Sequence, residues 1–500
     1  MHRLFFCVLS FVLVVTKCLV CSEHIVHTAK EKPLIFVIFG ASGDLTSRKL
    51  IPALYHLSQS GQLPSQFACV GVSKGDTDTA SFRKTVGSAV SQFCNARAED
   101  AFLNKFLFTQ VDFNQDADYE KLKEQISKIE SNFSAPSEKI FYLATHSQFF
   151  PVIVQELSKY NLVSDRTSRV IFEKPFGHDL KSAQTLKNKI YAYLLPDQIF
   201  QIDHFLGKEG VQNILSFRFS NPIFEELWSN KYIDNIQITI AEDIGIGTRG
   251  DFFEKTGILR DLVQNHLMQI LSLVAMERPK NFNPKNFDAD AIQKEKIKVV
   301  RSIRKFPLDD LIHSVVRGQY TQNGDTYGYL QEKNVSSNSQ VETYFAARLF
   351  IDNDQWRNVP FYIRAGKRLK AKMTEVVITF KKPQNYPQAS KPNVLVLNIQ
   401  PKEEVSLQVN SKAGYGSLDL NIKDAKQRTK DAYEQLLKDA IDGNRSNFVN
   451  FDELLASWEL FSPVIDTRDT PLLPYPAGSW GPDSSLLFER EGQGWYDESK

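Results

Sequence analysis

Four ionisable side chains lie close together in one short segment of the chain. Asp203 and His204 are followed by Lys208 and Glu209, directly after a short apolar run. A carboxylate can orient a histidine that acts as a general base, and cationic groups can bind a phosphate or a polyol. A polar loop that ends a strand is the alternative interpretation. The segments on either side of this cluster therefore decide its role.

A second histidine lies within an apolar stripe. Apolar residues surround His266 at three- and four-residue spacings, which predicts a helix over residues 258–276. The alternatives are a buried core histidine and a catalytic base. Asp261 precedes His266 by five residues, an offset of about 140° on an ideal α-helix. We therefore expect the two side chains to lie on different faces, so that Asp261 does not orient His266.

A basic segment follows a predicted strand that ends near residue 365. It places five bases in nine residues, namely Arg364, Lys367, Arg368, Lys370 and Lys372. A glycine turn with this charge could bind a phosphate. A solvated basic turn is the alternative interpretation.

A glycine turn between a buried strand and a helix predicts a dinucleotide site. The apolar run Leu34–Phe39 suits a strand buried on both faces, and helical spacing begins near Leu50. The glycines let the backbone approach a pyrophosphate, and the helix N-terminus supplies N–H groups. The predicted cofactor-binding residues of this turn are Gly40, Ala41, Ser42, Gly43, Asp44 and Leu45.

The residue after the second predicted strand bears on the choice of cofactor. NAD enzymes usually place an acid there to bind the ribose 2′-hydroxyl, whereas Lys74 suits a 2′-phosphate. Asp76 lies close enough to keep NAD possible. The sequence thus favours NADP and leaves NAD open.

The pattern of elements predicts an α/β fold of two domains. Strands alternate with helices over residues 32–208, which predicts an N-terminal doubly wound, Rossmann-type domain with a parallel sheet. Its predicted strands are 34–39, 67–72, 108–111, 140–144, 169–172 and 199–202. Residues 209–500 carry long alternating segments and a few helices, which predicts an α+β domain with a large antiparallel sheet. Lys174 and Asp203 both follow predicted strand ends, where ligands bind in such sheets.

Composition excludes several classes of protein. The 500 residues are 42% hydrophobic and carry 60 basic and 59 acidic side chains, without a basic block. Nucleic acid is therefore not an expected partner. Three of the five cysteines lie in the first 21 residues, so no disulfide framework is predicted. No metal site is predicted either.

The N-terminus predicts a targeting segment. Residues 4–15 form an apolar run interrupted by Ser10, too short to span a bilayer. We interpret residues 1–22 as a signal or targeting peptide, with no membrane association after its removal. The expected compartment is the lumen of the secretory pathway (the endoplasmic reticulum) or a plastid, and the cytoplasm is less expected.

Five separated motifs resemble those of the glucose-6-phosphate dehydrogenase family and occur along the chain in the same order as in that family. The resemblance extends from Lys32 to the C-terminus, and the closing segment 475–482 is also similar. The motifs are Gly40-Ala41-Ser42-Gly43-Asp44-Leu45, Glu173-Lys174-Pro175-Phe176-Gly177, Ile202-Asp203-His204-Phe205-Leu206-Gly207-Lys208-Glu209, Arg260-Asp261-Leu262-Val263-Gln264-Asn265-His266, and Arg364-Ala365-Gly366-Lys367.

The resemblance implies a reaction, which is oxidation of glucose 6-phosphate at C1 with NADP, the first step of the oxidative pentose phosphate pathway. His266 would be the general base, and Asp203 would orient it. Lys174 would contact both substrate and cofactor, through a cis Lys174–Pro175 bond. The other implied substrate contacts are His204, Lys208, Glu242, Asp261, Lys367 and Lys372. The family likeness also suggests a homodimer or homotetramer, with residues 209–500 as the substrate-binding and oligomerisation domain.

The chain departs from the family pattern at several positions. Phe205 stands where tyrosine is usual, Lys74 replaces an arginine, and His146-Ser147 replaces a Pro-Pro pair. Gln201 and Thr46 are further substitutions. Two alternatives stay open, namely a dehydrogenase of a free sugar or polyol and a relative that has lost catalysis.

Overall fold

The computed structural model describes residues 32–284, 287–382, 385, 391–420, 430–467, 470–488 and 493–496. The predicted targeting segment lies outside these residues. The two described cysteines, Cys69 and Cys94, are not joined by a disulfide. No helix of the described part is long and apolar enough to cross a membrane.

Six strands form a parallel sheet in the N-terminal part of the chain. They are β1 (Leu34–Phe39), β2 (Phe67–Ser73), β3 (Phe106–Gln110), β4 (Glu138–Leu143), β5 (Arg169–Phe172) and β6 (Ile199–Gln201). Their order is β3-β2-β1-β4-β5-β6, and all pairs are parallel. The predicted doubly wound sheet is therefore confirmed. The order reverses between β1 and β4, the switch point at which such sheets bind ligands.

Helices cover both faces of this sheet. Within β1, Phe36 and Ile38 point into one core, whereas Val37 and Phe39 point into the other. This burial on both faces explains why the strand is a continuous apolar run. The helices of this part are Ile51–Gln59, Thr79–Cys94, Asp100–Leu103, Asp116–Glu130, Phe150–Lys159 and Leu180–Tyr191, with a π-helical turn at Thr46–Leu50 and 3₁₀ turns at Ser147–Phe149 and Pro196–Gln198.

Nine strands form a second sheet. They are β7 (Ile233–Ala241), β8 (Val315–Thr321), β9 (Tyr344–Phe350), β10 (Pro360–Gly366), β11 (Met373–Phe380), β12 (Val394–Gln400), β13 (Glu404–Ser411), β14 (Gly414–Asp419) and β15 (Leu472–Pro476). Their order is β14-β13-β12-β11-β7-β10-β9-β8-β15. Most pairs are antiparallel as predicted, but β7 with β10 and β8 with β15 are parallel. The sheet is thus mixed. The alternation of apolar and polar residues along a strand shows which face is buried, but it does not show whether the neighbouring strand runs parallel or antiparallel.

Helices pack on the second sheet, and one of them returns to the first. The helices are Glu209–Ser220, Pro222–Leu227, Gly250–Ile258, Met268–Ala275, Ala289–Ser302, Ala432–Asp442 and Phe451–Thr467, with 3₁₀ turns at Leu311–His313, Tyr329–Gln331 and Ser485–Leu487. Leu436 and Leu437 of helix Ala432–Asp442 share a core with Leu54 of helix Ile51–Gln59. A late segment of the chain is therefore part of the first core.

Candidate active site

The predicted helix over residues 258–276 contains a π-helical stretch, Leu259–Leu267. In a π-helix each N–H bonds to the carbonyl five residues earlier, so a turn contains more residues than in an α-helix and residues five apart are less separated around the axis. The prediction that Asp261 and His266 lie on different faces, which assumed an ideal α-helix, is therefore wrong. The ammonium of Lys174 contacts both, at 3.1 Å from the Asp261 carbonyl oxygen and 2.9 Å from His266 Nε2.

A buried carboxylate holds the ring of His266. Asp203 lies in the loop that follows β6, and its Oδ1 is 2.5 Å from His266 Nδ1. The same oxygen accepts the backbone N–H of Phe205 at 3.0 Å. Both side chains are nearly inaccessible to solvent. The structure thus places Asp203, and not Asp261, as the partner of His266.

The protonation of the imidazole follows from its partners. An ammonium can only donate, so Nε2 accepts from Lys174 and Nδ1 carries the proton that is donated to Asp203. Burial lowers the pKa of His266, and the charge of Lys174 adds to this effect against the opposing charge of Asp203. Burial disfavours the Asp203 carboxylate, but the charges of His266 and its neighbours hold the pKa of Asp203 below its usual range. His266 is therefore a neutral base beside an ionised carboxylate.

Lys174 reaches this pair from the first domain. It follows β5, and the Lys174–Pro175 bond is cis, as predicted. Its ammonium also lies 3.6 Å from Asp261 Oδ1. Lys174 therefore joins the strand end of the first sheet to the π-helix.

A second lysine enters the site from β10. Lys367 is fully buried, and its Nζ lies 2.5 Å from Glu242 Oε2 and 3.2 Å from Asp261 Oδ2. Burial opposes ionisation of Asp261, but Lys174 and Lys367 lower its pKa to about 2. The three predicted residues Glu242, Asp261 and Lys367 thus form one group of ion pairs beside His266.

The basic segment after β10 is only partly a solvated turn. Arg364 is buried on the other face of the sheet, 4.3 Å from the Trp495 ring centroid, whereas Lys370 and Lys372 are exposed. The Tyr475 hydroxyl donates to the carbonyl of Lys367 at 2.7 Å. The closing segment, from which Tyr475 comes, therefore holds the turn that carries Lys367.

Two further cations, Lys208 and Lys372, and the ring of His204 lie on the other side of His266. Lys208 Nζ is 3.5 Å from the Phe205 ring centroid, and the Phe205 ring stacks on His266 at 4.5 Å. Burial lowers the pKa of Lys208 to about 8, and the nearby charge of Lys372 contributes. The His204 ring lies 4.6 Å from that of His266, and burial lowers its pKa. Lys208 and Lys372 therefore give the site a second cationic side, next to an uncharged His204.

One described group of side chains could share a metal ion. The ligand atoms of Asp203, His204 and His266 lie within 4.8 Å of one another. However, the Lys174 ammonium lies 2.9 Å from His266 Nε2, and Lys208 is close by, so two positive charges oppose a dication there. A base with its partners accounts for the three residues without a metal.

The glycine turn after β1, residues 40–45, has the geometry of a dinucleotide-binding turn. Gly40 has φ of 89°, and a Cβ there would overlap with the carbonyl oxygen of Ala144. The Thr46 hydroxyl donates to the Gly40 carbonyl at 3.0 Å, which ties the helix start to the turn. Ser42 and Asp44 are exposed at the carboxyl end of β1. The turn therefore fits a pyrophosphate that approaches its backbone.

Lys74 lies beside this turn, directly after β2. It is 78% exposed and pairs with Asp112 Oδ2 at 2.8 Å. Such an exposed pair is weak, so the ammonium can exchange this partner for a phosphate. Asp76 is also exposed.

A cavity of about 730 Å³ lies between the carboxyl end of the first sheet and the π-helix. It extends from the loop after β4 to the π-helix, and its walls include His146, Ser147, Lys174, Asp203 and Asp261. The cavity therefore borders Lys174 and Asp203, the two residues that contact the ring nitrogens of His266.

Sequence reasoning missed two residues of the site. Glu173 accepts the Tyr142 hydroxyl at 2.5 Å beside Lys174, and the Phe253 ring lies 5.3 Å from Lys367 Nζ. Glu173 stands in a motif that was recognised, but no role followed from its type. Nothing in the local sequence distinguishes Phe253 from a core residue.

The parallel sheet with its glycine turn, and the buried base beside it, define a nicotinamide-dinucleotide-dependent dehydrogenase. The family model "Glucose-6-phosphate dehydrogenase, NAD binding domain" matches residues 37–213. The model "Glucose-6-phosphate dehydrogenase, C-terminal domain" matches residues 215–496. The chain belongs to the glucose-6-phosphate dehydrogenase family.

Individual relatives agree with this assignment. A glucose-6-phosphate 1-dehydrogenase of Chlamydia pneumoniae is 43% identical over 498 residues, which covers 93% of this chain and 96% of the relative. One of Bacillus subtilis is 39% identical over 494 residues and covers 94% and 99%. A solved glucose-6-phosphate dehydrogenase in complex with its substrate glucose-6-phosphate has a TM-score of 0.85 at 33% identity, covering 91% of this chain and 97% of that one.

Proposed function

We propose that this protein oxidises D-glucose 6-phosphate at C1 to 6-phospho-D-glucono-1,5-lactone, with NADP as hydride acceptor. The observation that carries the proposal is the buried His266, held by Asp203 and flanked by cations on both sides. Family membership supports the same reaction.

In this proposal His266 Nε2 takes the proton of the C1 hydroxyl. The atom faces Lys174, which would turn its donated hydrogen bond from the ring to the substrate oxygen. Asp203 keeps the proton on Nδ1 and stabilises the imidazolium that forms. Asp261, Glu242 and Lys367 would bind the sugar hydroxyls, because carboxylates accept and an ammonium donates such bonds.

The cations near Phe205 would bind the phosphate. Burial lowers the pKa of Lys208 to about 8, because the buried ammonium loses its hydration. A phosphate dianion would compensate this loss with a charge-assisted hydrogen bond, so we expect it to be bound strongly. Lys372 and His204 lie on the same side. A free sugar has no charge to match these groups, which favours a sugar phosphate.

The glycine turn Gly40–Leu45 would hold the pyrophosphate of NADP, with Lys74 at the 2′-phosphate. Bound NADP would supply the hydride acceptor. The fold places this turn and Lys74 at the carboxyl ends of β1 and β2, and Lys174 follows β5 of the same sheet.

Replacing Lys74 by alanine is expected to raise the KM for NADP about tenfold and to leave the KM for NAD within twofold. The change removes one charge-assisted contact to the 2′-phosphate, a group that NAD lacks. Initial rates with both cofactors would measure the effect. Lys32→Ala, which removes another exposed lysine paired with a carboxylate, is the control. An equal rise for NAD and NADP would contradict the proposed contact.

Absorbance at 340 nm tests the reaction itself. Protein lacking residues 1–22 is expected to form NADPH rapidly from glucose 6-phosphate and NADP. Free glucose and sorbitol are the comparison substrates. Faster oxidation of the free sugars would favour a sugar or polyol dehydrogenase. Cofactor binding without any turnover, in protein shown to be folded, would indicate an inactive relative.

The targeting segment and the oligomeric state of the protein stay predictions. We infer from residues 4–15 that residues 1–22 are a targeting segment, for the endoplasmic reticulum or a plastid. The bacterial origin of the relatives reported above lends support to neither compartment. A homodimer or homotetramer is proposed from the family likeness alone. The N-terminal sequence of the mature protein and its mass in solution would test both.

A further inference from the structure

Helix Phe451–Thr467 is hydrogen-bonded to the π-helical stretch that carries His266. The hydroxyl of Ser457 donates to the carbonyl oxygen of Gln264 at 2.8 Å, and the serine is buried. Gln264 lies two residues before His266, within the stretch Leu259–Leu267. A short side chain that bonds to a buried backbone carbonyl leaves that carbonyl little freedom to move. Ser457 therefore fixes the backbone directly before the base.

The same helix also holds the chain after the base. Glu453 lies one turn before Ser457, and its Oε1 accepts the side-chain amide of Gln269 at 3.0 Å. This oxygen accepts the hydroxyl of Ser272 at 3.2 Å as well. Gln269 lies three residues after His266. One helix is thus bonded to the chain on both sides of the base.

A buried lysine completes this second contact. Lys296 of helix Ala289–Ser302 lies 3.1 Å from Glu453 Oε2 and 2.5 Å from Gln269 Oε1. The side chains of Lys296 and Glu453 are 0% and 1% exposed. Removing an ion pair from water is costly, and an apolar pair of similar size is often as stable or more stable. We therefore interpret the pair as fixing the position of Gln269 and not as a source of stability.

The π-helical stretch is a reason for such contacts. π-Helices are rare, and most are single turns at functional sites, whereas this stretch has nine residues. Contacts from another element are therefore expected to select it over an α-helix. The winding of the backbone sets the direction of each side chain around the helix axis. The contacts that select the π-helix thus also decide whether the His266 ring meets Asp203, which it does at 2.5 Å.

We propose that Ser457 and Glu453 are positioning residues of the reaction. They hold the π-helical stretch in the geometry in which the ring of His266 lies between Asp203 and Lys174. Ser457 bonds to the backbone of the stretch and Glu453 to the side chain of Gln269, so both act through the stretch. The inference rests on the proposed function, because it concerns the rate of the same reaction.

The variant Ser457→Ala removes one hydroxyl and tests the first contact. We expect kcat with glucose 6-phosphate and NADP to fall about fivefold, the effect of one lost hydrogen bond. The KM for glucose 6-phosphate and the dissociation constant of NADP, measured by titration calorimetry, should stay within twofold. Ser457 borders the 730 Å³ cavity, so a weaker affinity for NADP would indicate a direct contact and overturn the positioning role.

Ser168→Ala is the matched control for general loss of stability. Ser168 is also buried, and its hydroxyl donates to the carbonyl of Leu162 at 3.4 Å. It precedes β5, at the opposite end of that strand from Lys174. We therefore expect the parental kcat in this variant. An equal loss of kcat in Ser168→Ala and Ser457→Ala would overturn the inference.

A double-mutant cycle with the base separates positioning from other effects on the rate. His266→Ala leaves no base to position, so adding Ser457→Ala should lower the residual kcat no further. Additive losses would overturn the inference, and so would a parental kcat in Ser457→Ala alone. Failure of the proposed function is a different result, in which the parental protein itself forms no NADPH.

Glu453 is tested in proteins that also carry Lys296→Met, which leaves no unpaired buried ammonium. Glu453→Gln keeps an oxygen that can accept the amide of Gln269, whereas Glu453→Leu does not. With both proteins shown to be folded, kcat should be at least threefold lower for Glu453→Leu. Equal kcat values would remove Glu453 as a positioning residue.

Discussion

Replacing His266 by alanine is expected to lower kcat by about 10³-fold or more, with the affinity for glucose 6-phosphate within a few fold of the parental value. General-base catalysis contributes about 10²–10⁴-fold to such reactions, and His266 is the one group placed to accept the C1 proton in the proposed geometry. Lys208 and Lys367, the proposed binding groups, remain in the variant. NADPH formation and equilibrium binding of glucose 6-phosphate would measure the two effects separately.

The chain offers a matched control for this variant. His313 pairs with Asp310 at 2.5 Å, but the pair lies on the surface and the histidine is 47% exposed. His313→Ala should therefore leave kcat unchanged. Because His266 is buried, His266→Gln serves as a second variant that leaves a smaller void. A variant at His266 that is folded and retains most of the parental kcat would remove His266 as the base.

The second large effect is expected for Asp203→Asn. The variant keeps the shape of the side chain but loses the charge that stabilises the imidazolium. Loss of a charge-assisted hydrogen bond costs up to about 3 kcal/mol, which corresponds to about 10²-fold in kcat. The asparagine amide can also donate to Nδ1, which would place the ring proton on Nε2 and block the base. Asp310→Asn on the surface is the control.

The pH profile provides an independent check on Asp203. Burial lowers the pKa of His266, so the base stays neutral at lower pH than a solvated histidine, and kcat is lost as the pH falls through that lowered pKa. Asp203 is the group that raises the pKa against burial. Removing its charge should therefore shift the acid limb of the kcat profile to lower pH. A limb that does not move would show that Asp203 is not coupled to the base.

The first sheet could be predicted from local patterns, and parts of the second could not. Strands buried on both faces, such as β1, are continuous apolar runs whose identity does not depend on their neighbours. By contrast, β14 is fully exposed, and β15 contains two prolines, which only an edge strand tolerates. These are the two edges of the nine-stranded sheet. Their pairing depends on a partner strand, so their own sequences carry little signal.

The sequence determined which residues form the candidate site, because phosphate, sugar and proton each require particular side-chain types. Lys174, Asp203 and His266 were all recognised in motifs. Only the tertiary structure decided how they meet. The π-helix brings Asp261 and His266 to the same face, where spacing on an ideal α-helix separates them. Helix Ala432–Asp442 reaches the loop of Asp203 from a distant segment, where Gly207 lies against Ala432. Such contacts come from packing between elements far apart in the chain, and side-chain spacing along one element does not encode them.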